Sequence, residues 1–465
     1  MTGRRIAVVG GGVSGITAGY VLSRTDRMTL FEADDRLGGH ADTHPTGVDT
    51  GFIVYNERTY PLVTRLFAEL GVATQPSRMS MSVRCAGCGL QYAGKRGLPG
   101  LAAGLPRGRG PYLRMLAEVP RFHRAARRLL DHGDRVGQTL ADFLRTGGFS
   151  RYFTAHFALP LVAAVWSCPT GTALRYPARY LFAFLANHGM LSVSGSPPWR
   201  TVTGGSRRYV ERAAKRLDEI RLSTPVRAVR RHPASRGHAE VRDADGQVHR
   251  FDAVVIATHP DQALRLLDPP TDAERDVLGA FTYTQNPALL HTDATLLPRR
   301  PAVRASWNYE LSGCEPDRAA PRISYHMNRL QNLAGREDYI VTLGGPVAPV
   351  DPGPVDPSRV IDRMEYAHPA YTPASVAAQR RLPGLNTHVT VARTTLRITG
   401  REDLGAHYAE TLRIWRERFG AQADRVASLG FDEVFSRMWT FYLCYSEAGF
   451  RAGYIDVSQL TLARP

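Results

Sequence analysis

The sequence predicts an α/β fold. A glycine-rich turn stands between a strand and a helix at the N-terminus, alternating strand and helix patterns return at 203–258, and a largely helical stretch, 85–188, separates the two. That order implies a Rossmann-like nucleotide-binding domain that is discontinuous in sequence, a mixed helical and β-sheet second domain, and a helical/strand tail. The expected segments are 1–60 and 201–265 for the two parts of the nucleotide-binding domain, 61–200 for the helical region, 266–390 for the sheet and its connections, and 391–465 for the tail.

Taken in order, "RIAVV" is a short buried strand, "SGITAGYVLSR" has helical spacing and "MTLFEA" is a second strand. "YPLVTRLFAELG" reads as a helix stopped by Gly71. Met115, Val119, Phe122, Ala126 and Leu129 recur at spacings of 4, 3, 4 and 3, giving one apolar helical face. Between Lys95 and Arg128 lie nine basic residues and the single acid Glu118. Such a segment can be a core-packed helix with a solvated arginine face, which is favoured, or a helix lying on a membrane surface. "GGSRRYVERAAKRL" is a glycine turn and helix, "TPVRAVRR", "GHAEVRDADGQVHRF" and "DAVVIAT" are strands, and Asp245-Gly246 is a hairpin turn. Residues 281–345 alternate strand and turn, and the proline-rich 350–374 reads as a surface crossing. From about residue 395 the tail turns helical, with Leu412, Trp415 and Phe419 on one face.

The chain of 465 residues carries a net charge of +16, nearly all from arginine, since Lys95 and Lys215 are its lysines. Arginine-favouring codon usage accounts for this; attraction to an anionic surface is the second reading. The longest apolar candidate, "FALPLVAAVW", is half the roughly 18–20 residues of a spanning helix. Five cysteines without a regular framework imply a reducing, cytoplasmic setting. Cys85 and Cys88 form "CAGC" in an expected hairpin. No second pair follows at zinc-ligand spacing, so they are read as turn residues and no metal is expected.

Gly10, Gly12 and Gly15 form G-x-G-x-x-G between strand and helix, with Ser14 in the opening turn, and Glu32 ends the next strand. Gly10 permits the tight turn, Gly12 lets the backbone approach a pyrophosphate, and Gly15 allows close helix–strand packing. The helix N-terminus offers unpaired N–H groups to phosphate, and Glu32 can accept from a ribose hydroxyl. Together these predict dinucleotide binding.

Glu32, Arg36, Gly38 and Gly39 then follow as E-x-x-x-R-x-G-G, and "DTGFIVYN" carries Gly51. This resembles FAD enzymes of the amine oxidase and phytoene desaturase type. With "WRTVTGGSRRYVERAAKRL", "FDAVVIATHPDQALRLL" and "ASWNYEL", residues 4–385 resemble bacterial amine-oxidase-like proteins whose genes commonly neighbour cyclopropane fatty acid synthases. The resemblance implies FAD as cofactor, with Arg36, Gly38 and Gly39 along the diphosphate. It also implies that the Gly51 segment passes the isoalloxazine ring and that the Val226 backbone reaches the adenine end. It supplies no catalytic acid or base: neither lysine stands in the context of the family's flavin-side lysine. His40, Tyr55, His259, His291 and Tyr309 are candidates only because they lie in matched blocks.

The family's closing glycine-rich block is not found after "AAQRRLPGLN". Residues 391–465 resemble instead the end of cyclopropane fatty acid synthases, through "HYAETLRIWRERF", "MWTFYLCYSEAGFRAGYIDV" and "QLTLAR", without that family's S-adenosylmethionine loop. Tyr442 lies in a block which there helps form an anion site. A fusion of two neighbouring genes near 385–395 accounts for this, and it implies weakened FAD affinity and apolar tail faces without partners.

The expectation is an FAD-dependent oxidoreductase moving a hydride from a hydrophobic small molecule or lipid to flavin. It would be cytoplasmic, in peripheral contact with the membrane and without a nucleic-acid partner. The alternative is a hybrid chain that keeps the nucleotide-binding fold and has little turnover. An NAD-dependent dehydrogenase is opposed by the Arg36-Gly38-Gly39 block.

Overall fold

β1 (Arg5–Val9) is held between two parallel strands, β2 (Arg27–Phe31) and β11 (Ala253–Ile256), and β7 (Glu219–Arg221) extends the sheet beyond β2. Residues 6–9 are buried, which is why β1 reads as an unbroken apolar run rather than an alternation. The computed structural model describes residues 3–94, 100–101, 104, 106, 108–132, 137–166, 168–192, 196–231, 238–315, 322–344, 355–385, 397–453 and 457–463. They fall into two units, Met1–Leu382 and Pro383–Pro465.

In the first unit, α1 (Val13–Leu22) follows β1 directly. α2 (Pro61–Glu69) starts on its proline and ends before Gly71, whose φ of +64° takes the chain out of the helix. A three-stranded antiparallel sheet joins β8 (Val226–Arg231), β9 (Ala239–Asp243) and β10 (Val248–Phe251), with Gly246 at φ +81° in the expected hairpin turn. β3 (Thr74–Ser77) pairs with β6 (Trp199–Val202), and the glycine turn at Gly204 and Gly205 then leads into α6 (Arg207–Ala214).

The second layer is a seven-stranded sheet in the order β16 (Val360–Ala370), β12 (Thr282–His291), β15 (Ile340–Leu343), β14 (Arg322–His326), β13 (Trp307–Leu311), β4 (Met81–Cys85) and β5 (Gln91–Ala93). Its pairs are antiparallel except β13 with β4. Among the helices that share its core are α3 (Arg109–His132), α4 (Leu159–Trp166) and α5 (Ala178–Asn187). Phe122 of α3 is fully buried among the rings of Phe143, Phe149, Phe153 and Phe182. The apolar face of α3 therefore lies in the protein core, and its arginines are exposed on the opposite side. Glu118 takes ion pairs from Arg114 and Arg121. Lys95 lies outside the described residues.

One sequence expectation in this unit is overturned. The proline-rich 350–374 is not a plain surface crossing: residues 360–370 form β16, paired along the whole of β12. Pro369 is tolerated because β16 is an edge strand, with no ladder partner on its other side among the described residues. Residues 350–354 lie outside the described residues.

In the second unit, β17 (Arg397–Asp403) pairs antiparallel with β18 (Ser458–Ala463), and α8 (Gly405–Ala421) packs on α9 (Glu433–Arg451). The tail therefore opens on a strand where a helix was expected, because β18 supplies it with a pairing partner some sixty positions away. Leu412 and Leu443 are buried between the helices, and Glu447 holds Arg416 and Arg451. Trp415 departs from the shared face expected with Leu412 and Phe419: it is 56% exposed. On α9, Val434, Met438, Phe441, Tyr442 and Tyr445 form an exposed stripe, with Phe441 and Tyr445 at 68% and 71%.

Candidate active site

The turn after β1 is fixed by backbone. Gly10, at φ +103°, donates its N–H to the Phe31 carbonyl at 2.9 Å. A Cβ on Gly15 would stand 1.9 Å from the Gly10 carbonyl oxygen, so the helix can approach the strand only without a side chain there. Gly12 caps α1 at φ −67°, ψ 176°, a conformation open to any residue. A Cβ on Gly12 would meet nothing within 4 Å. The glycine at this position is thus not required by the protein's own packing, and it leaves clear space before the first-turn N–H groups of α1, where Ser14 is exposed.

Gly39, at φ +56°, faces that space from the other side, its Cβ position 3.2 Å from the Gly12 Cα. Gly38, at φ +112°, donates to the Gly11 carbonyl at 2.8 Å. Arg36 reaches back to the Gly39 carbonyl at 3.1 Å and pairs with Asp42 at 3.2 Å, so it braces this loop. Glu32, at the end of β2, accepts N–H groups of Gly11 and Asp34, which fixes the direction of its carboxylate. The N–H groups of Ser223 and Thr224 donate to the carbonyls of Asp34 and Glu32, so Val226 starts β8 beside Glu32.

Beyond Gly39 the chain forms a tight hairpin. A Cβ on Gly51 would stand 2.1 Å from the His40 carbonyl oxygen, which also accepts the Phe52 N–H at 2.7 Å. Asp49 is fully buried here. It accepts from Thr43 at 2.6 Å and from the Ser206 N–H and hydroxyl at 2.9 and 2.8 Å, tying the hairpin to the turn before α6. Burial raises the Asp49 carboxyl to about 6, against the lowering effect of these bonds.

Past Gly51 opens a cavity of about 300 Å³. Thr50–Val54 form one side; Trp199, Phe184, Trp307 and Tyr325 supply aromatic walls, and Ala164 and Val165 of α4 close it. Among the described lining residues there is no carboxylate, lysine or arginine. At the Gly51 side, His40 stacks on His368 at 5.6 Å and meets Tyr366 edge-on at 5.0 Å. His259, the N-terminal residue before α7 (Pro260–Leu266), lies 6.0 Å from His40 and stacks on Tyr283. Burial lowers all three imidazoles, His368 to about 4, so they are neutral at pH 7. The Tyr366 hydroxyl bonds Thr50 at 2.7 Å and donates to Asp42 at 3.1 Å.

The histidine and tyrosine candidates separate. His40 and His259 belong to this cluster, although only His40 lines the cavity. Tyr55 is buried against Phe67, and Tyr309 is buried in the seven-stranded sheet. His291 is fully buried, with Thr342 and the Asp293 N–H on its two ring nitrogens, a structural role. Lys215 ends α6 and does not line the cavity. His368 and Tyr366 went unseen in the sequence because they lie on β16, within the proline-rich stretch. The alternation of Met364, Tyr366 and His368 was the available signal.

The family model described as flavin containing amine oxidoreductase matches residues 13–296. The chain belongs to the flavin-containing amine oxidoreductase family. Its cofactor is FAD, and the open space at Gly12, the facing Gly39, the α1 N-terminus and the oriented Glu32 fit that group. A second model, mycolic acid cyclopropane synthetase, matches residues 361–460. The tail is 62% identical over 76 residues to the tuberculostearic acid methyltransferase of Mycobacterium tuberculosis, covering 16% of this chain and 18% of that protein. The chain thus spans less than a third of the length of the curated methyltransferases it matches there. The coproporphyrinogen III oxidase of Mycobacterium leprae is 27% identical over 436 residues, 84% of this chain and 94% of that protein. Among solved structures, a fatty acid isomerase from P. acnes superposes with a TM-score of 0.56 at 14% identity, covering 83% of this chain and 92% of that one. At that identity the likeness shows a shared fold.

Proposed function

We propose that this amine oxidoreductase-family chain is an FAD-dependent oxidoreductase acting on a hydrophobic, uncharged substrate of lipid character. The single observation that carries this reading is the cavity: aromatic and aliphatic walls, neutral imidazoles, and no ionised side chain among its described lining residues. An ammonium group entering it would be desolvated without a carboxylate partner, a cost of several kcal/mol or more. An apolar chain would gain roughly 25 cal/mol for each Å² buried.

In this reading Gly10, Gly12, Ser14 and Gly15 receive the diphosphate at the α1 N-terminus. Gly38 and Gly39 close its other side, braced by Arg36, while Glu32 holds the ribose and Val226 the adenine end. The hairpin that Gly51 allows to close against His40 carries the chain past the ring. Bound FAD supplies the hydride acceptor. The chain's own part is to exclude water, to orient the substrate against Trp307 and Tyr325, and to keep the His40–His368–Tyr366 rings packed on one another and uncharged beside the Gly51 turn. The exposed arginines of α3 favour contact with an anionic membrane face.

Absorbance of the purified chain is the test. Flavin bands near about 370 and 450 nm, at about one FAD per chain, are expected. Under anaerobic conditions the 450 nm band should bleach with fatty acyl compounds and not with alkyl diamines. A colourless chain that FAD cannot reconstitute would overturn the reading, and bleaching by diamines alone would overturn the substrate class.

A further inference from the structure

The hairpin between β4 and β5 carries Cys85 and Cys88, which sequence spacing leaves without further ligands. The fold brings two more. Cys314, just beyond β13, stands 3.8 Å sulfur to sulfur from Cys85, and His156 Nε2 stands 3.7 Å from the Cys88 sulfur. One ligand atom from each of the four residues lies within 4.8 Å of all the others.

The surroundings match a ligand set more closely than a chance cluster. A tetrahedron with zinc–sulfur bonds of about 2.3 Å has edges of about 3.8 Å, the spacing of Cys85 and Cys314. His156 is fully buried, and its Nδ1 meets the Tyr152 carbonyl at 3.0 Å. That bond holds the Nδ1–H tautomer and leaves the Nε2 lone pair facing the sulfurs. His156 sits in a single π-helical turn, Thr154–Ala158, which rotates it out of the regular helical register. Gly89, at φ +75°, donates its N–H to the Cys85 carbonyl and folds the C-x-x-C turn back on itself. A Cβ on Gly87 would crowd the Cys314 backbone nitrogen at 3.2 Å, so the turn and the Cys314 loop are built to touch.

We propose that Cys85, Cys88, His156 and Cys314 form a closed structural zinc site. Three thiolates and one neutral imidazole in a tetrahedron select a soft divalent ion, with Zn²⁺ first, and binding releases the three thiol protons to solvent. Four protein ligands leave no open position for catalysis. The site lies at the far end of β4 and β13 from the cavity: Trp307, which lines the cavity, pairs with Met81, and Leu311 pairs with Cys85, four residues or about 13 Å further on. It staples the β4–β5 hairpin, the β13 end and the helical run that continues into α4, whose Ala164 and Val165 wall the cavity. The ion would therefore steady that wall from a distance.

The test uses the full chain without an affinity tag, purified under reducing conditions, with zinc measured by elemental mass spectrometry. About one zinc per chain is expected. Cys88→Ser and Cys314→Ser should each lower it about tenfold or more, His156→Cys should retain it, and Cys168→Ser, a buried cysteine elsewhere, should leave it unchanged. Should the serine variants fail to fold, the wild-type chain still decides: chelation should expose three further thiols to alkylation, and Co²⁺ added to the stripped chain should give the visible absorption of tetrahedral cobalt thiolate. A chain that contains no zinc and takes up neither zinc nor cobalt, or one in which Cys85 and Cys314 are joined as a disulfide, overturns the proposal.

Discussion

A Cβ at Gly15 would stand 1.9 Å from the Gly10 carbonyl oxygen, whereas a Cβ at Gly12 would meet nothing within 4 Å. The two glycines of one motif therefore serve different ends, and substitution separates them. Gly15→Val should destabilise the chain by at least about 3 kcal/mol, read by chemical denaturation. Gly12→Ala should cost the FAD-free chain no more than about 1 kcal/mol, the loss of a glycine N-cap, and weaken FAD binding about tenfold or more, about 1.4 kcal/mol, read by flavin titration. Equal melting losses in both would contradict the assignment of Gly12 to the cofactor. His123, His291 and His368 are each held at about 4 by burial, below the ordinary imidazole value of about 6.5. Between those values the unfolded chain binds protons that the folded chain refuses, so stability is full above pH 6.5 and falls as pH drops toward 4. Asp49, raised to about 6 by burial, acts in the opposite sense between about pH 6 and 4, but it is one group against three. Thermal melting should drop across this window, and His368→Asn should flatten the slope.

At the scale of elements, the parts legible in the sequence are those with a local signal. The β1–turn–α1–β2 unit, the stop at Gly71, the Asp245-Gly246 hairpin and the buried face of α3 each rest on period or turn chemistry within a dozen residues. β16 was illegible because Pro369 and the prolines around the strand outweighed its alternation, and the edge position that accommodates Pro369 is a property of the sheet. The role of Asp49 was hidden for a related reason: a lone acid announces no partner, and its donors, Thr43, Ser206 and Gln331, come from three separated segments. The zinc ligands show the same limit, since spacing along the chain cannot count residues contributed by another strand and another helix. In the tail, α9 carries an exposed stripe at Val434, Met438, Phe441, Tyr442 and Tyr445. Replacing Phe441 and Tyr445 by lysine should lower self-association in light scattering at raised protein concentration and leave helicity by circular dichroism unchanged.

At the scale of the whole molecule, β1 lies between strands far apart in sequence, β2 and β11, and the Arg5 N–H bonds the carboxylate of Asp252, 247 positions away. Translation completes β1, its turn and β2 early, yet the edge of β1 that β11 will cover stays open until more than half the chain has left the ribosome. Parallel pairings of this span close slowly, because a long loop must be ordered before any contact rewards it. The nascent chain must therefore carry an unpaired apolar edge through most of its synthesis, a condition under which chaperones govern yield. FAD cannot find its complete platform before β11 docks. Cofactor loading therefore waits on residues 253–256 of the 465, and flavin acts as a ligand that pulls the docking of β11 forward.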